Sequence, residues 1–164
     1  MSELADLLER YRRGAELLAV ATTGAAGPEL DFHPAEGKWS VRQIVCHLVD
    51  TEAVAVMRFR QFIAEDNPTL TAFDQDSWAT KLGYEKRKIS QALEAFRMLR
   101  MWNYELLKDQ PPEVFERGAT HTKRGAVKMI QFLRIFAEHV ENHAKQIQSV
   151  RAAFKEHRAS QVAQ

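Results

Sequence analysis

Four long stretches of this 164-residue chain repeat their apolar residues at three- and four-residue steps, and clusters of proline and glycine separate them. The first runs from about Ser2 to Ala21, with Leu4, Leu7, Leu8, Tyr11, Ala15 and Leu18 on one face. Thr22 to Lys38 holds Gly24, Gly27, Pro28, Pro34 and Gly37 and reads as a long loop. Ser40-Val41-Arg42-Gln43 then has the form of a capping box, which opens the second helix. Val41, Ile44, Val45, Leu48, Ala55, Phe59 and Phe62 make its inward stripe. It must stop before Asn67-Pro68, because proline cannot donate to a continuing helix and drives its predecessor out of helical geometry. The third helix spans roughly Glu85 to Lys108, with Ile89, Leu93, Phe96, Leu99, Asn103 and Leu106 inward, and Pro111-Pro112 forbids its extension. The fourth runs from about Ala126 to Glu156.

Two connectors complete the plan. Thr69 to Tyr84 has room for a short helical piece through Trp78 and Leu82, capped by Asp74 or Asp76. Glu113 to Gly125 contains Gly118 and Gly125. No sustained β alternation occurs. The pattern predicts an all-α four-helix bundle, one domain over residues 1–157, with residues 158–164 as a frayed tail.

Composition excludes several classes of function. One cysteine, Cys46, allows no internal disulfide. Cys46 adjoins His47 but is turned about 100° away on the helix, which fits packing rather than catalysis. The net charge of +1 offers no phosphate-binding surplus, so no nucleic-acid partner is expected. Lys86, Arg87, Lys88, Arg97 and Arg100 read mostly as a solvated helix face. No apolar run approaches the roughly 18–20 residues of a membrane span, and the acidic start Ser2-Glu3-Leu4-Ala5-Asp6 is unlike a signal peptide. A cytoplasmic protein with no membrane partner is the expectation.

The histidines carry the chemistry. His47, His139 and His143 stand where apolar residues belong. On the fourth helix His143 lies about 40° from His139 and Gln146 about 20° to the other side, inside a stripe of Phe132, Ile135, Phe136, Ile147 and Val150. His47 interrupts the second helix beside Ile44 and Leu48. A single such histidine is ordinarily a hydrogen-bonded core residue. Two imidazoles one turn apart facing a third on another helix can instead share one divalent ion. Two better-known patterns fail. A zincin has glutamate directly after the first histidine, and here Val140 stands there, with Glu141 on the opposite side. A di-iron bundle needs Glu-x-x-His, and Phe136 and Val140 occupy the positions three before His139 and His143.

These residues resemble the DinB superfamily of metal-binding four-helix bundles, in the branch of bacillithiol S-transferases and YfiT-like metal-dependent hydrolases. Pro34 through Asp50 is similar to that branch's P-x-x-x-x-W-S-x-x-x-x-x-x-H-L-x-D segment, and Arg58-Phe59-Arg60 fits its continuation. Pro68 through Ala79 resembles its P-x-[IL]-x-x-[YF]-D-x-x-x-W-A connector. His121 through Gly125 resembles an H-x-x-x-G turn, and His139-x-x-x-His143-x-x-Gln146 its final signature. The resemblance covers about Leu30 to Arg151. It implies His47, His139 and His143 as ligands of zinc or nickel, a 1-2-4-3 bundle order and often a homodimer.

The resemblance also implies a small-molecule substrate, and first a low-molecular-weight thiol transferred to an electrophile. Hydrolysis by metal-activated water is the alternative, and a non-catalytic metal-binding bundle the third reading. A bound divalent ion lowers the pKa of either a thiol or a water. Among the candidates for supporting roles, Asp50 lies one turn from His47 and Gln146 shares the histidine stripe. Arg58 lies roughly 16 Å along the second helix from His47, as an anion anchor or a salt bridge. His121 sits in a loop that can approach the metal. Trp39, Trp78 and Trp102 read as core or rim packing, and His33 and His157 as surface residues.

Overall fold

The computed structural model describes residues 2–163. Its order is α1 (Glu3–Thr22), α2 (Val41–Ala64), β1 (Thr69–Leu70), α3 (Gln75–Lys81), α4 (Ile89–Lys108), β2 (Gly118–His121), β3 (Gly125–Lys128) and α5 (Met129–Val162). α1, α2, α4 and α5 form the expected four-helix bundle. One half of the core gathers Leu7 and Tyr11 of α1, Phe59 and Phe62 of α2, Leu107 of α4 and Met129 to Phe136 of α5. The other half gathers Leu18 and Ala21, Val41 to Leu48, Phe96, and Val140 to Val150. The early part of α1 therefore meets the late parts of α2 and α4 and the early part of α5. α1 and α5 run one way, α2 and α4 the other. The closest backbone approaches join α1 to α5 and α2 to α4, then α1 to α4 and α2 to α5. The first and second long helices thus lie diagonally across the core, a departure from the 1-2-4-3 order that the resemblance implies.

Local signals placed most boundaries. Ser40 and Gln43 make both halves of the capping box at the start of α2. Asp74, rather than Asp76, caps α3, its Oδ1 accepting from the N–H groups of Asp76 and Ser77. α2 ends at Ala64, and Asn67 turns the chain at φ +44°, in the left-handed region that asparagine tolerates, ahead of Pro68. Arg117 closes that end: its Nε donates to Phe62 O at 2.7 Å and its Nη2 to Glu65 O at 2.7 Å.

Several expectations need correction. A small sheet exists where none was expected: β1 pairs parallel with β2, and β2 antiparallel with β3. Strands of two and four residues are too short for alternation to register in sequence, and hairpin closure through Gly125 (φ +74°) holds them. β3 delays the last helix from Ala126 to Met129, and α4 likewise begins at Ile89 after a 3-10 turn at Tyr84–Lys86. The last helix also runs on to Val162 instead of fraying from 158, although its final residues are exposed; Gln164 lies outside the described residues. Trp102 is 66% exposed and packs neither core nor rim.

The last correction concerns Arg100, which is a core residue and not part of a solvated face. Its Nη2 donates to Glu52 Oε2 at 2.7 Å, and its Nη1 to Tyr11 O at 3.0 Å. Glu52 Oε1 accepts from the Tyr11 hydroxyl and from Asn103 Nδ2. Gly14 makes space for this guanidinium: a Cβ there would stand 2.7 Å from Arg100 Nη1. Alanine at position 14 is the better helix former by about 1 kcal/mol. The Gly14→Ala variant is nevertheless expected to lose about 1–3 kcal/mol in denaturant unfolding, because Arg100 is pinned by Glu52 and cannot retreat. A variant as stable as the parent would contradict this packing.

Candidate metal centre

α2 and α5 cross with His47 facing His139 and His143. The helical step of four puts the last two on one face, and one ligating ring nitrogen from each of the three lies within 4.8 Å of the others. His139 Nε2 is 3.0 Å from His47 Nε2 and 3.0 Å from His143 Nε2. A neutral imidazole nitrogen offers either one proton or one lone pair. His139 Nε2 can therefore satisfy one neighbour fully and not both. A cation between the rings satisfies three lone pairs at once, and imidazoles suit divalent zinc, nickel or copper. Among the described residues no fourth histidine, cysteine or carboxylate joins this group, so a tetrahedral ion held by the three rings would keep one position free of protein ligands.

The surroundings favour neutral rings, the form that binds metal. Burial first, then the neighbouring imidazoles, pushes His139 down to about 3. Burial, helped by His143, pushes His47 down to about 4. Burial lowers His143 too, with the Gln146 hydrogen bond opposing. His143 Nδ1 lies 2.7 Å from Gln146 Oε1, which can only accept. Nδ1 therefore carries the proton and Nε2 presents its lone pair to the other rings. Gln146 thus hydrogen-bonds to one of the three rings, the contact that a residue supporting a ligand would make. The Trp39 ring packs against that of His47, with centroids 4.9 Å apart.

These shifts have a sign in stability. Without metal, the unfolded chain takes up histidine protons below about pH 6.5, and the folded chain refuses them until pH falls to about 4 at His47 and about 3 at His139. The stabilisation is present above pH 6.5 and is lost as pH falls through that window. With chelator present, the melting temperature is expected to drop between pH 7.5 and 5, before the carboxylates titrate. A His139→Asn variant should flatten the slope, and a flat profile in the parent would rule out buried neutral imidazoles.

The other candidates divide. Asp50 orients none of the rings: its Oδ2 accepts from the Tyr84 hydroxyl at 2.5 Å, and His47 Nδ1 is buried with no partner. One turn along a helix still leaves about 60° of rotation between residues 47 and 50, which turns the carboxylate away. Cys46 is buried near Tyr84 O at 3.8 Å, and burial raises its thiol to about 11, as befits a packing residue. His121 and Arg58 are not among the three converging rings. They line a cleft of about 390 Å³ that reaches His139, with Thr51, Phe73, Phe132, Ile135 and Phe136 in its walls and Lys123 and Arg124 at its mouth. Arg58 makes no salt bridge among the described residues. Thr51 was not foreseen; its hydroxyl is buried and unpartnered, and its only sequence signal is its place one turn after His47.

Comparison with known proteins points the same way. The model of the DinB superfamily matches residues 10–147. Two relatives, each named "Putative metal-dependent hydrolase", come from Oceanobacillus iheyensis and Bacillus mycoides. The first is 30% identical over 122 residues, covering 74% of this chain and 70% of the relative. The second is 29% identical over 123 residues, covering 75% and 70%. Among solved structures, YfiT from Bacillus subtilis superposes with a TM-score of 0.87 at 21% identity, covering 94% of this chain and 90% of that one. It is described as a probable metal-dependent hydrolase with an unusual four-helix bundle topology, and at this identity the likeness concerns the fold. Among the described residues, no helix is long and apolar enough to cross a membrane.

Proposed function

The chain belongs to the DinB superfamily, and from that footing we propose that it is a metal-dependent hydrolase whose ion is held by His47, His139 and His143. The carrying observation is the convergence of three Nε2 atoms at a cleft that opens through His139. Zinc or nickel fits such a nitrogen set. When bound there, either ion supplies a Lewis acid that lowers the pKa of water and polarises a carbonyl oxygen. The chain's own residues do the rest. Gln146 holds His143 in one tautomer. Trp39 packs its ring against that of His47. Ile135, Phe136 and Phe132 give the organic part of a substrate an apolar wall.

One observation favours a second reading, transfer of a low-molecular-weight thiol. Among the described residues no aspartate or glutamate lines this cleft, so hydrolysis lacks an evident protein base. A thiol needs none, because an ion held by the three histidines would lower the pKa of a coordinated thiol far enough for solvent to take its proton. Its sulfur would then bond to an electrophilic carbon as the leaving group departs with the electron pair of the bond that breaks.

A single assay separates the two. Metal-loaded protein and a His143→Ala variant are incubated with a panel of carboxylic esters and alkyl halides, with and without added thiol. Ester turnover without thiol, lost in the variant, supports hydrolysis. Turnover only with thiol, with one thiol consumed per product, replaces it with transfer. Metal uptake without either turnover leaves a metal-binding bundle and removes both enzymatic readings.

A further inference from the structure

Among the described residues the bundle buries two arginines, and one of them has a counter-ion. Arg100 is paired with Glu52. Arg58 is 9% exposed and pairs with no carboxylate among the described residues. Burying a cation without an anion is costly. Burial and the charge of Arg124 both lower its pKa, and no acid offsets them.

His121 sharpens the anomaly. It is 6% exposed, at the end of β2, where strand alternation turns it inward with Ala119. Its Nδ1 accepts from the backbone N–H groups of Lys123 at 3.2 Å and Arg124 at 3.3 Å, within the hairpin turn. A neutral ring that accepts at Nδ1 carries its proton on Nε2. That N–H faces Arg58 Nη2 at 3.5 Å, so one donor confronts another. Thr71 O takes one Nη2 proton at 2.8 Å and leaves the rest of the guanidinium fork unused. Both groups rest on the Phe132 ring, with Arg58 Cζ 5.3 Å and the His121 ring 5.9 Å from its centroid. Lys123 and Arg124 add positive charge at the mouth of the same cleft.

We infer that Arg58 and His121 form an oxyanion site that holds the carboxylate or phosphate group of the substrate. A planar guanidinium fork beside an imidazole N–H matches either group, and the low dielectric of the cleft strengthens both bonds. Phe132 and His139 are seven residues apart on α5, roughly 10 Å along its axis. The substrate is therefore a small elongated acid, with its anionic group anchored at Arg58 and its reacting group about 10 Å away. That placement of the reacting group rests on the proposed three-histidine site; the oxyanion site itself does not.

The test uses inorganic phosphate and succinate as probes, followed by NMR of the His121 ring and the Arg58 side-chain N–H. It is run on the full chain, metal-loaded and metal-stripped, and on His143→Ala. Saturable shifts in all three forms are expected, weakened at least about tenfold by Arg58→Gln or His121→Phe. Arg58→Lys should recover part of the affinity, since it keeps the charge and loses the fork. The tighter probe identifies the anion as phosphate-like or carboxylate-like. If Arg58→Gln does not fold, His121→Phe and the exposed Arg124→Ala carry the same expectation, the second more weakly. Absence of saturable shifts with both probes overturns the inference. So does anion binding that ignores these variants, or that vanishes in His143→Ala and stripped protein, which would place the anion on the metal. Failure of the metal site alone would leave the Arg58-dependent shifts intact.

Discussion

His139→Ala is expected to abolish stoichiometric binding of a divalent ion. The parent should take up about one equivalent of zinc or nickel per chain. Losing a partner that only supports a ligand typically costs about 10–100-fold in metal affinity. Losing His139 itself should cost more, because its Nε2 stands 3.0 Å from each of the other two and is the central member of the set. The Trp39 ring, 4.9 Å from that of His47, supplies a fluorescence readout besides direct metal analysis. Metal should also raise the melting temperature of the parent and leave that of His139→Ala nearly unchanged, since binding to the folded form alone stabilises by mass action. Full metal content in His139→Ala would sink the three-histidine site, as would a parent that refuses both zinc and nickel.

Arg100→Met should be the most damaging single substitution away from that site. It leaves the Glu52 carboxylate 1% exposed, with only the Tyr11 hydroxyl and Asn103 amide as donors. Removing one partner of a buried ion pair costs about 3–5 kcal/mol. In a chain of this length that lowers the melting temperature by about 10 °C. The double variant Glu52→Leu/Arg100→Met should recover most of the loss, because no uncompensated charge then remains. The same pair ties all four long helices: Glu52 is on α2, Arg100 on α4, and the guanidinium donates to Tyr11 O of α1 and, at 3.4 Å, to Phe136 O of α5. Equal losses in the single and double variants, by calorimetry, would show that shape rather than charge sets the stability here.

The buried pair leaves a trace in the sequence. Phe96, Arg100, Asn103 and Leu107 recur at steps of four, three and four, a core stripe with a charge in it. Ile44, Leu48, Glu52, Ala55 and Phe59 do the same on α2. Two opposite charges interrupting two inward stripes was the available signal. The histidines interrupt their stripes in the same way, and two of them share one helix face.

Periodicity, caps and breakers were sufficient for what is local. The four amphipathic stretches, the capping box at Ser40, the stop before Pro68 and the shared face of His139, His143 and Gln146 all follow from a repeat of 3.6 residues. Tertiary structure alone decided what is distant in the chain. It placed the first and second long helices on a diagonal, brought His47 to a pair 92 residues away and paired β1 with β2. It also turned Asp50 toward Tyr84 and left Arg58 beside His121 without an anion. The physical reason is that helical phase is a property of neighbours, whereas partners across a core are chosen by packing and by the need of every buried charge and lone pair for a match.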